Sequence, residues 1–115
     1  MLKILFKYIN KLFTIMNVLV TGGSGLVGSA LKELTQSYTK ANFIFLSKKM
    51  CDLTDSEECL QTFEKYKPNI VVHLASVVYS SLSNIDSQFK SLIDNSKINI
   101  NIFDACNKYK IKKMI

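Results

Sequence analysis

Four glycines, all that the chain has, lie within one stretch of seven residues. They are Gly22, Gly23, Gly25 and Gly28, and Ser24, Leu26 and Val27 stand between them. Glycines at this spacing let the backbone turn sharply and let a charged group approach the main-chain amides without an intervening Cβ. Where a helix begins at such a turn, its free N–H groups and its dipole can hold an anion. The spacing therefore predicts a phosphate-binding turn.

Two lysines follow the glycine turn, about 20 residues on, at the place where NAD-binding chains usually carry an acid. This place holds Ser47, Lys48 and Lys49. An acid there binds the ribose 2′-hydroxyl of NAD, whereas cations attract the 2′-phosphate of NADP. We therefore predict NADP as the cofactor, with Lys48 and Lys49 near its 2′-phosphate. The competing interpretation is that both are solvated loop residues.

A carboxylate, Asp52, comes shortly after these lysines in Cys51-Asp52-Leu53. It could accept a hydrogen bond from the exocyclic amine of an adenine. It could equally be a turn residue that helps to start the next helix. The sequence leaves both interpretations open.

The elements that must position these residues follow from an alternation of short apolar runs with longer helical patterns after Asn17. We predict strands at 18–20, 43–46 and 69–75 and a fourth that begins at 113, with helices at 25–38, 54–67 and 85–106. Such alternation is typical of βαβ units around a parallel sheet. The predicted fold class is α/β, a Rossmann-type doubly wound sheet of which the chain holds the N-terminal half, about four strands.

The sequence also predicts which residues of these helices face the core and where one of the helices begins. The residues expected on the inner face of the first are Leu26, Ala30, Leu31 and Leu34. The second helix is expected to begin at a capping box, Thr54-Asp55-Ser56-Glu57. In the last helix the apolar residues that recur at helical spacing are Ile85, Phe89, Leu92, Ile93, Ile100, Phe103 and Cys106.

Residues 1–16, MLKILFKYINKLFTIM, are a separate segment with lysines at 3, 7 and 11 and no acid. The lysines share one helical face and the apolar residues the other, which is typical of a basic amphipathic helix. We favour an upstream extension, with Met16 as the natural start, over a membrane-surface anchor, so a membrane is not an expected partner. The predicted division is this extension and a truncated NADP-binding Rossmann domain at 17–115.

Composition excludes several other classes. The formal charge of +6 falls to +3 without the three lysines of the extension, which is too mild to indicate a nucleic-acid partner. Three widely spaced cysteines predict neither a disulfide framework nor a metal site, and they favour a cytoplasmic location. The only histidine, His73, lies in an apolar run, so we expect a packed, hydrogen-bonded side chain rather than a general base.

Longer stretches resemble a known family. NVLVTGGSGLVGSAL resembles the extended short-chain dehydrogenase/reductases, and FIFLSKKMCDLTD, FEKYKPNIVVHLAS and KIKKMI closely resemble the GDP-L-fucose synthases within them. This resemblance, which runs from Met16 to Ile115, implies an NADPH-dependent 3,5-epimerase/4-reductase that makes GDP-L-fucose from GDP-4-keto-6-deoxymannose. It implies a GDP-sugar substrate and allows a homodimer.

The same resemblance implies roles for single residues. Gly22 to Gly28 would bind the cofactor pyrophosphate, and Asp52 and Leu53 would lie beside its adenine. The other positions that it implies near the cofactor or in the active-site framework are Ala75, Ser76 and Asn95.

The chain also departs from the family pattern. Tyr79-Ser80 stand where the family commonly has a glycine pair near the substrate. The family's catalytic serine, Tyr-x-x-x-Lys pair, cysteine and histidine would lie beyond residue 115, so we predict no catalytic residue and no activity in this chain. Tyr109 and Lys113 repeat the Tyr-x-x-x-Lys spacing, but they span a helix end and a strand start. The alternatives are a non-enzymatic NADP-binding module and an inactive remnant.

Overall fold

The computed structural model of the chain describes residues 1–79 and 84–115, so Ser80 lies outside the described residues. The elements in chain order are α1 (Leu2–Phe13), β1 (Met16–Thr21), α2 (Leu26–Thr35), β2 (Ala41–Leu46), α3 (Ser56–Tyr66), β3 (Ile70–His73), α4 (Ile85–Lys108) and β4 (Lys113–Met114). After α1, strands and helices alternate throughout the described residues, as predicted.

The sheet is parallel, with strand order β2-β1-β3-β4. In the register of the ladder, Val18 of β1 lies opposite Phe43 of β2 and Ile70 of β3. After β1 the chain adds β2 on one side of it, and then crosses over to add β3 and β4 on the other side. The prediction of a doubly wound sheet with about four strands is confirmed, and its switch point, where ligands bind in such sheets, lies between β1 and β3.

The core lies between the sheet and the helix pair α3 and α4. Its most deeply buried large side chains include Leu19 of β1, Val71 of β3, Phe63 of α3 and Ile102 of α4. Since crossovers between parallel strands are right-handed, the reversal of direction after β2 puts α2 on the opposite face. No helix in residues 1–79 and 84–115 is long and apolar enough to cross a bilayer.

The predicted start of α3 is one residue early. Its N-cap is Asp55, whose carboxylate accepts from the amides of Glu57 and Glu58 at 2.9 and 3.0 Å. The hydroxyl of Thr54 instead donates to Asp52 at 2.7 Å, in the turn before the helix. The helix ends at Tyr66, and its C-cap, Lys67, has a left-handed φ of 45°.

The predicted inner face of α2 is wrong for three of its four residues. Leu26 and Leu34 are 90% and 79% exposed, and Ala30 is exposed as well. The face that meets the rest of the domain runs through buried Gly28 and half-buried Leu31. Because glycine has no side chain, α2 approaches the sheet most closely on the side that carries Gly28. Leu26 and Leu34 therefore lie on the sides of the helix that face solvent.

In α4, the side chains that reach the core are Ile98, Ile102 and Ala105. Cys106 packs beside them. The other apolar residues of the predicted stripe, at 85, 89, 92, 93, 100 and 103, are more than half exposed. The helix has apolar side chains around much of its circumference, so their spacing alone does not identify the buried line.

Candidate functional site

A cavity of about 700 Å³ opens where the strands end, which we call the carboxyl edge of the sheet. It is lined by the glycine turn after β1, by residues 46–48 and 51–54 after β2, by residues 74–77 and 79 after β3, and by three side chains of α4. Its volume is within the range of about 300–1,000 Å³ that is usual for ligand pockets. Three separate connections therefore converge on one concave site.

Three glycines of the turn are required by the fold itself, and one of them, Gly23, would place a Cβ 2.7–2.8 Å from the backbone of Phe45 and Leu46. Gly22 has a φ of +67°, and a Cβ there would lie 2.9 Å from the backbone of Leu74 and Ala75. A Cβ on Gly28 would collide with the carbonyl oxygen of Gly22 and lie 2.8 Å from Cα of Gly23. The lack of a side chain at Gly22 lets the turn pack against the end of β3. The lack of one at Gly28 lets α2 pack against the turn.

Gly25 is less constrained by the fold than the other three glycines. A Cβ there would meet only the carbonyl oxygen of Gly22, at 3.2 Å, and its φ of −75° suits any residue. Gly25 is also the N-cap of α2, which has no side-chain cap and no acid in its first turn. The first amides of a helix lack partners within it, so this end can receive an anion. The glycine leaves open the space that a pyrophosphate needs.

The two lysines that the sequence pairs have different positions. Lys48 lines the cavity, whereas Lys49 is not among the lining residues in the described part of the chain. Both side chains are exposed. Lys48 is therefore the better placed of the two to meet a phosphate in the cavity.

Asp52 lines the cavity and also forms the turn that leads to α3. Its Oδ1 accepts from the hydroxyl of Thr54 at 2.7 Å and from the amide of Thr54 at 3.0 Å. The bond from this hydroxyl, with help from the amide, holds the pKa of Asp52 below its usual value. The turn interpretation is thus confirmed, and the adenine interpretation stays a prediction. Leu53, which is 9% exposed, lines the cavity beside it.

Ala75 and Ser76 line the cavity, and a residue that the sequence analysis missed holds this segment. The buried hydroxyl of Thr21 accepts from the amides of Leu74 and Ala75 at 3.1 and 3.2 Å. The signal in the sequence was a hydroxyl residue closing an otherwise apolar strand. Thr21 thereby ties the end of β1 to the connection after β3.

His73 is hydrogen-bonded on both ring nitrogens. Its Nδ1 lies 2.7 Å from the hydroxyl of Thr21, and its Nε2 lies 3.0 Å from Oδ1 of Asn99. The prediction of a packed, hydrogen-bonded histidine is confirmed.

Asn95 does not line the cavity but clamps the segment that does. Its Oδ1 accepts from the amide of Val77 at 2.8 Å, and its Nδ2 donates to the carbonyl of Val77 at 2.9 Å. Both groups of one side chain are therefore used to hold one residue of the connection after β3. This is a positioning contact within the framework.

Tyr79, Lys90 and Asp94 form a polar cluster at the wall of the cavity. The hydroxyl of Tyr79 donates to Asp94 at 2.7 Å and accepts from Lys90 at 2.9 Å. Lys90 also pairs with Asp94 at 3.0 Å and lies 4.1 Å from the centre of the Tyr79 ring. Sequence spacing did not reveal this cluster.

The remaining candidates are the three cysteines and the pair Tyr109 and Lys113. Cys51, Cys59 and Cys106 are free thiols, and no three metal-binding side chains gather within residues 1–79 and 84–115. The bond from Cys59 lowers the pKa of Cys51 to about 7. Tyr109 caps α4 and Lys113 opens β4, so the pair belongs to two different elements, as expected.

Comparisons with known proteins agree with this architecture. The profile of the NAD dependent epimerase/dehydratase family matches residues 18–115. A GDP-L-fucose synthase of Dictyostelium discoideum is 36% identical over 100 residues, which are 85% of this chain and 31% of that protein. A probable GDP-L-fucose synthase of Drosophila melanogaster is 34% identical over the same shares.

The fold has similar solved structures as well. A GDP-L-fucose synthetase from Naegleria fowleri, crystallised with NADP, superposes with a TM-score of 0.78 at 37% identity. The superposition covers 86% of this chain and 30% of that one. The chain thus spans about a third of the length of the relatives that it matches.

Proposed function

The chain belongs to the NAD dependent epimerase/dehydratase family, and on that premise we propose that it binds NADP(H) in the cavity at the carboxyl edge. The pyrophosphate would lie on the first turn of α2. The observation that carries this proposal is Gly25, which lines the cavity and where the only close contact of a Cβ would be with the carbonyl oxygen of Gly22, at 3.2 Å. A glycine kept open at an uncapped helix start suits a ligand phosphate.

The preference for NADP over NAD rests on Lys48. Lys48 lines the cavity on the β2 side, where the ribose end of a bound dinucleotide would lie. Asp52, the nearest carboxylate along the chain, has one oxygen occupied by Thr54. A 2′-phosphate therefore gains a cation there, and a 2′-hydroxyl finds no acid dedicated to it.

We further propose that this chain is the N-terminal, cofactor-binding part of an epimerase/reductase that converts GDP-4-keto-6-deoxymannose to GDP-L-fucose. The bound cofactor would supply the hydride for the reduction. The residues of this chain would bind the cofactor, orient it and exclude water from its pyrophosphate. Support comes from GDP-L-fucose synthases among the relatives at 34–36% identity.

The 115-residue chain by itself is proposed to lack reductase activity. Among the described lining residues the one phenol is Tyr79, and its hydroxyl already donates to Asp94. A proton donor for the substrate would therefore have to come from elsewhere. Oxidation of NADPH by the purified chain in the presence of GDP-4-keto-6-deoxymannose would contradict this.

A second candidate function is a non-enzymatic NADP-binding module. The Tyr79 cluster favours it, since a bulky side chain stands where the family commonly has glycine. Reading the coding sequence past codon 115 separates the two candidates. A serine segment followed by Tyr-x-x-x-Lys within about 50 residues supports the enzyme, and an immediate stop codon supports the module.

Calorimetric titration of the chain with NADP and with NAD tests the binding proposal. We expect measurable affinity for both and a clear preference for NADP. Equal affinities would remove the role given to Lys48, and no binding of either would remove the site. Cytosolic location and a homodimer also remain proposals, the former supported by three free thiols, which persist in a reducing compartment.

A further inference from the structure

Helix α1 has an apolar face that the rest of the described chain does not cover. Leu5, Phe6, Ile9 and Leu12 are 55%, 65%, 40% and 80% exposed. Helices of about 12–15 residues are marginal in water on their own, and their stability usually comes from packing of the apolar face. A surface that covers these side chains would stabilise α1.

The opposite face of α1 is basic. Lys3 and Lys7 lie one turn apart and are exposed, and Lys11 continues their spacing in the sequence. The first acidic residue of the chain is Glu33. The face therefore carries positive charge with no acid along the chain nearby to neutralise it.

The end of the sheet to which α1 is joined has the same sign. Residues 14–15 link α1 to the start of β1, at what we call the amino edge. The connections that enter β2, β3 and β4 at this edge are 36–40, 67–69 and 109–112. They contain no acid, and their charged residues are Lys40, Lys67, Lys110 and Lys112, all exposed.

The carboxyl edge has no such bias. The charged residues in the connection from β2 to α3 are Lys48, Lys49, Asp52 and Asp55, two of each sign. The positive charge is thus concentrated at the end of the sheet that bears the uncovered helix.

We infer that α1 and the amino edge together dock on an anionic lipid surface, with α1 lying in the plane of the interface. Such helices bury their apolar face among the acyl chains, and their lysines meet the anionic headgroups. A second copy of the chain fits less well, because two chains that each carry a formal charge of +6 repel each other. Since about 20 residues are needed to span a bilayer, α1 would lie on the membrane and not cross it.

The inference is independent of the proposed cofactor site. Sequence alone favoured an upstream extension, because nothing after α1 depended on it. The structure adds the uncovered face and the basic amino edge. Docking at this edge leaves the cavity at the opposite end of the strands, open to solvent and to a dinucleotide.

Sedimentation of the full chain with vesicles tests the inference. The vesicles contain equal amounts of phosphatidylserine and phosphatidylcholine, and vesicles of phosphatidylcholine alone serve for comparison. We expect binding to the former, weakened by salt, and little binding to the latter. The apolar-face variant Leu5→Gln, Ile9→Gln should lose binding to both.

A charge-matched pair isolates the basic face. Lys3→Glu, Lys7→Glu should weaken binding to the phosphatidylserine vesicles by at least about 25-fold, since each lysine near such a surface strengthens binding about fivefold. Lys49→Glu, Lys97→Glu changes the net charge equally at two exposed sites, one at the carboxyl edge outside the cavity lining and one on α4, and should bind nearly as the wild type does.

Several results would overturn the inference. They are failure of the wild type to sediment with phosphatidylserine vesicles, equal losses in the two charge variants, and self-association through Leu5 and Ile9 that replaces vesicle binding. NADP affinity measured on the same samples should be unchanged by the α1 variants, so failure here is separable from failure of the cofactor site.

Discussion

The two ends of the sheet use lysine in different ways. At the carboxyl edge one lysine, Lys48, lines a cavity whose shape is set by close backbone contacts at Gly22 and Gly28. At the amino edge four exposed lysines stand in three connections beside an uncovered helix. The first arrangement fixes atoms around a small ligand, and the second spreads charge toward a broad surface. Lysine is the residue in both arrangements, so residue type does not distinguish the two edges. The backbone structure around each lysine does.

The sharpest test of this contrast is a pair of glycine variants at the carboxyl edge. Gly25→Val should abolish measurable NADP binding and destabilise the fold less than the same change at Gly28, because its Cβ makes one tight contact, 3.2 Å from the carbonyl oxygen of Gly22, and the rest of its side chain enters the space of the pyrophosphate. The loss of two or more hydrogen bonds to a charged group, about 1.5–3 kcal/mol each, amounts to at least about 100-fold in Kd. Calorimetry measures the affinity, and urea denaturation measures the stability.

Gly28→Val is the matched control, since it has the same substitution three residues away. Its Cβ would lie 2.8 Å from Cα of Gly23, so we expect destabilisation by about 1–3 kcal/mol, the usual cost of overpacking. If Gly25→Val unfolds the chain and Gly28→Val does not, the division between scaffold and site is reversed. Retained NADP affinity in Gly25→Val would show that phosphate binds elsewhere.

Thr21 tests how firmly the carboxyl edge is held. Thr21→Val keeps the shape but removes the oxygen that accepts from the amides of Leu74 and Ala75 and that is hydrogen-bonded to Nδ1 of His73. A buried donor left without a partner costs about 1–3 kcal/mol, so we expect a loss of stability of that size. Thr21→Ser, which keeps the hydroxyl, should recover most of it. An unchanged urea midpoint in Thr21→Val would mean that these bonds do not hold the cavity wall.

Lys48 and Lys49 are neighbours in sequence, so they allow the effect of a lysine that lines the cavity to be compared with the effect of one that does not. Lys48→Ala should weaken NADP binding about tenfold and leave NAD binding nearly unchanged, because a charge-assisted bond to the 2′-phosphate contributes about 1.5 kcal/mol or more. Lys49→Ala, at a residue outside the cavity lining, should have a much smaller effect. Equal effects of the two changes on the NADP/NAD ratio would indicate that general charge, as at the amino edge, is sufficient.

The smallest expected effect concerns the pH dependence of stability at Asp52. Its pKa in the folded chain is below the usual 3.8, chiefly because the Thr54 hydroxyl donates to it. Its contribution is therefore fully present above about pH 4 and is lost as the pH falls through the lowered pKa. The difference in the free energy of unfolding between wild type and Asp52→Asn should therefore shrink as the pH falls from about 4 through the lowered pKa of Asp52. A difference that is constant with pH would contradict this role.

Local patterns in the sequence were sufficient to predict the fold class and the position of the glycine turn. Strand–turn–helix order and the clustering of glycines are properties of neighbouring residues, and the four parallel strands follow from them. The inner face of α2 was mispredicted because the leucines outweigh Gly28 in any count of apolar residues. What decides the face is how closely the helix backbone approaches the strand, and that depends on residues distant in sequence.

The supports of the cavity were beyond the reach of such patterns for the same reason. Thr21 and Ala75 meet across 54 positions of the chain, and Asn95 reaches back 18 positions to Val77. Lys48 and Lys49 are adjacent and chemically identical, so only the three-dimensional arrangement separates them. The Tyr79 cluster depends on how the connection after β3 lies against α4, which no spacing rule describes.

The central claim is that a dinucleotide binds at the carboxyl edge with its phosphates at the start of α2, and an NMR titration tests it most directly. In a ¹H–¹⁵N correlation experiment on the full chain, NADP should shift most strongly the amides of Gly25, Leu26, Val27 and Gly28. The amide of Lys48 should respond to NADP more than to NAD, and the amides of α1 should not move. Shifts that centre on the amino edge, or an unchanged spectrum at millimolar NADP, would contradict the account.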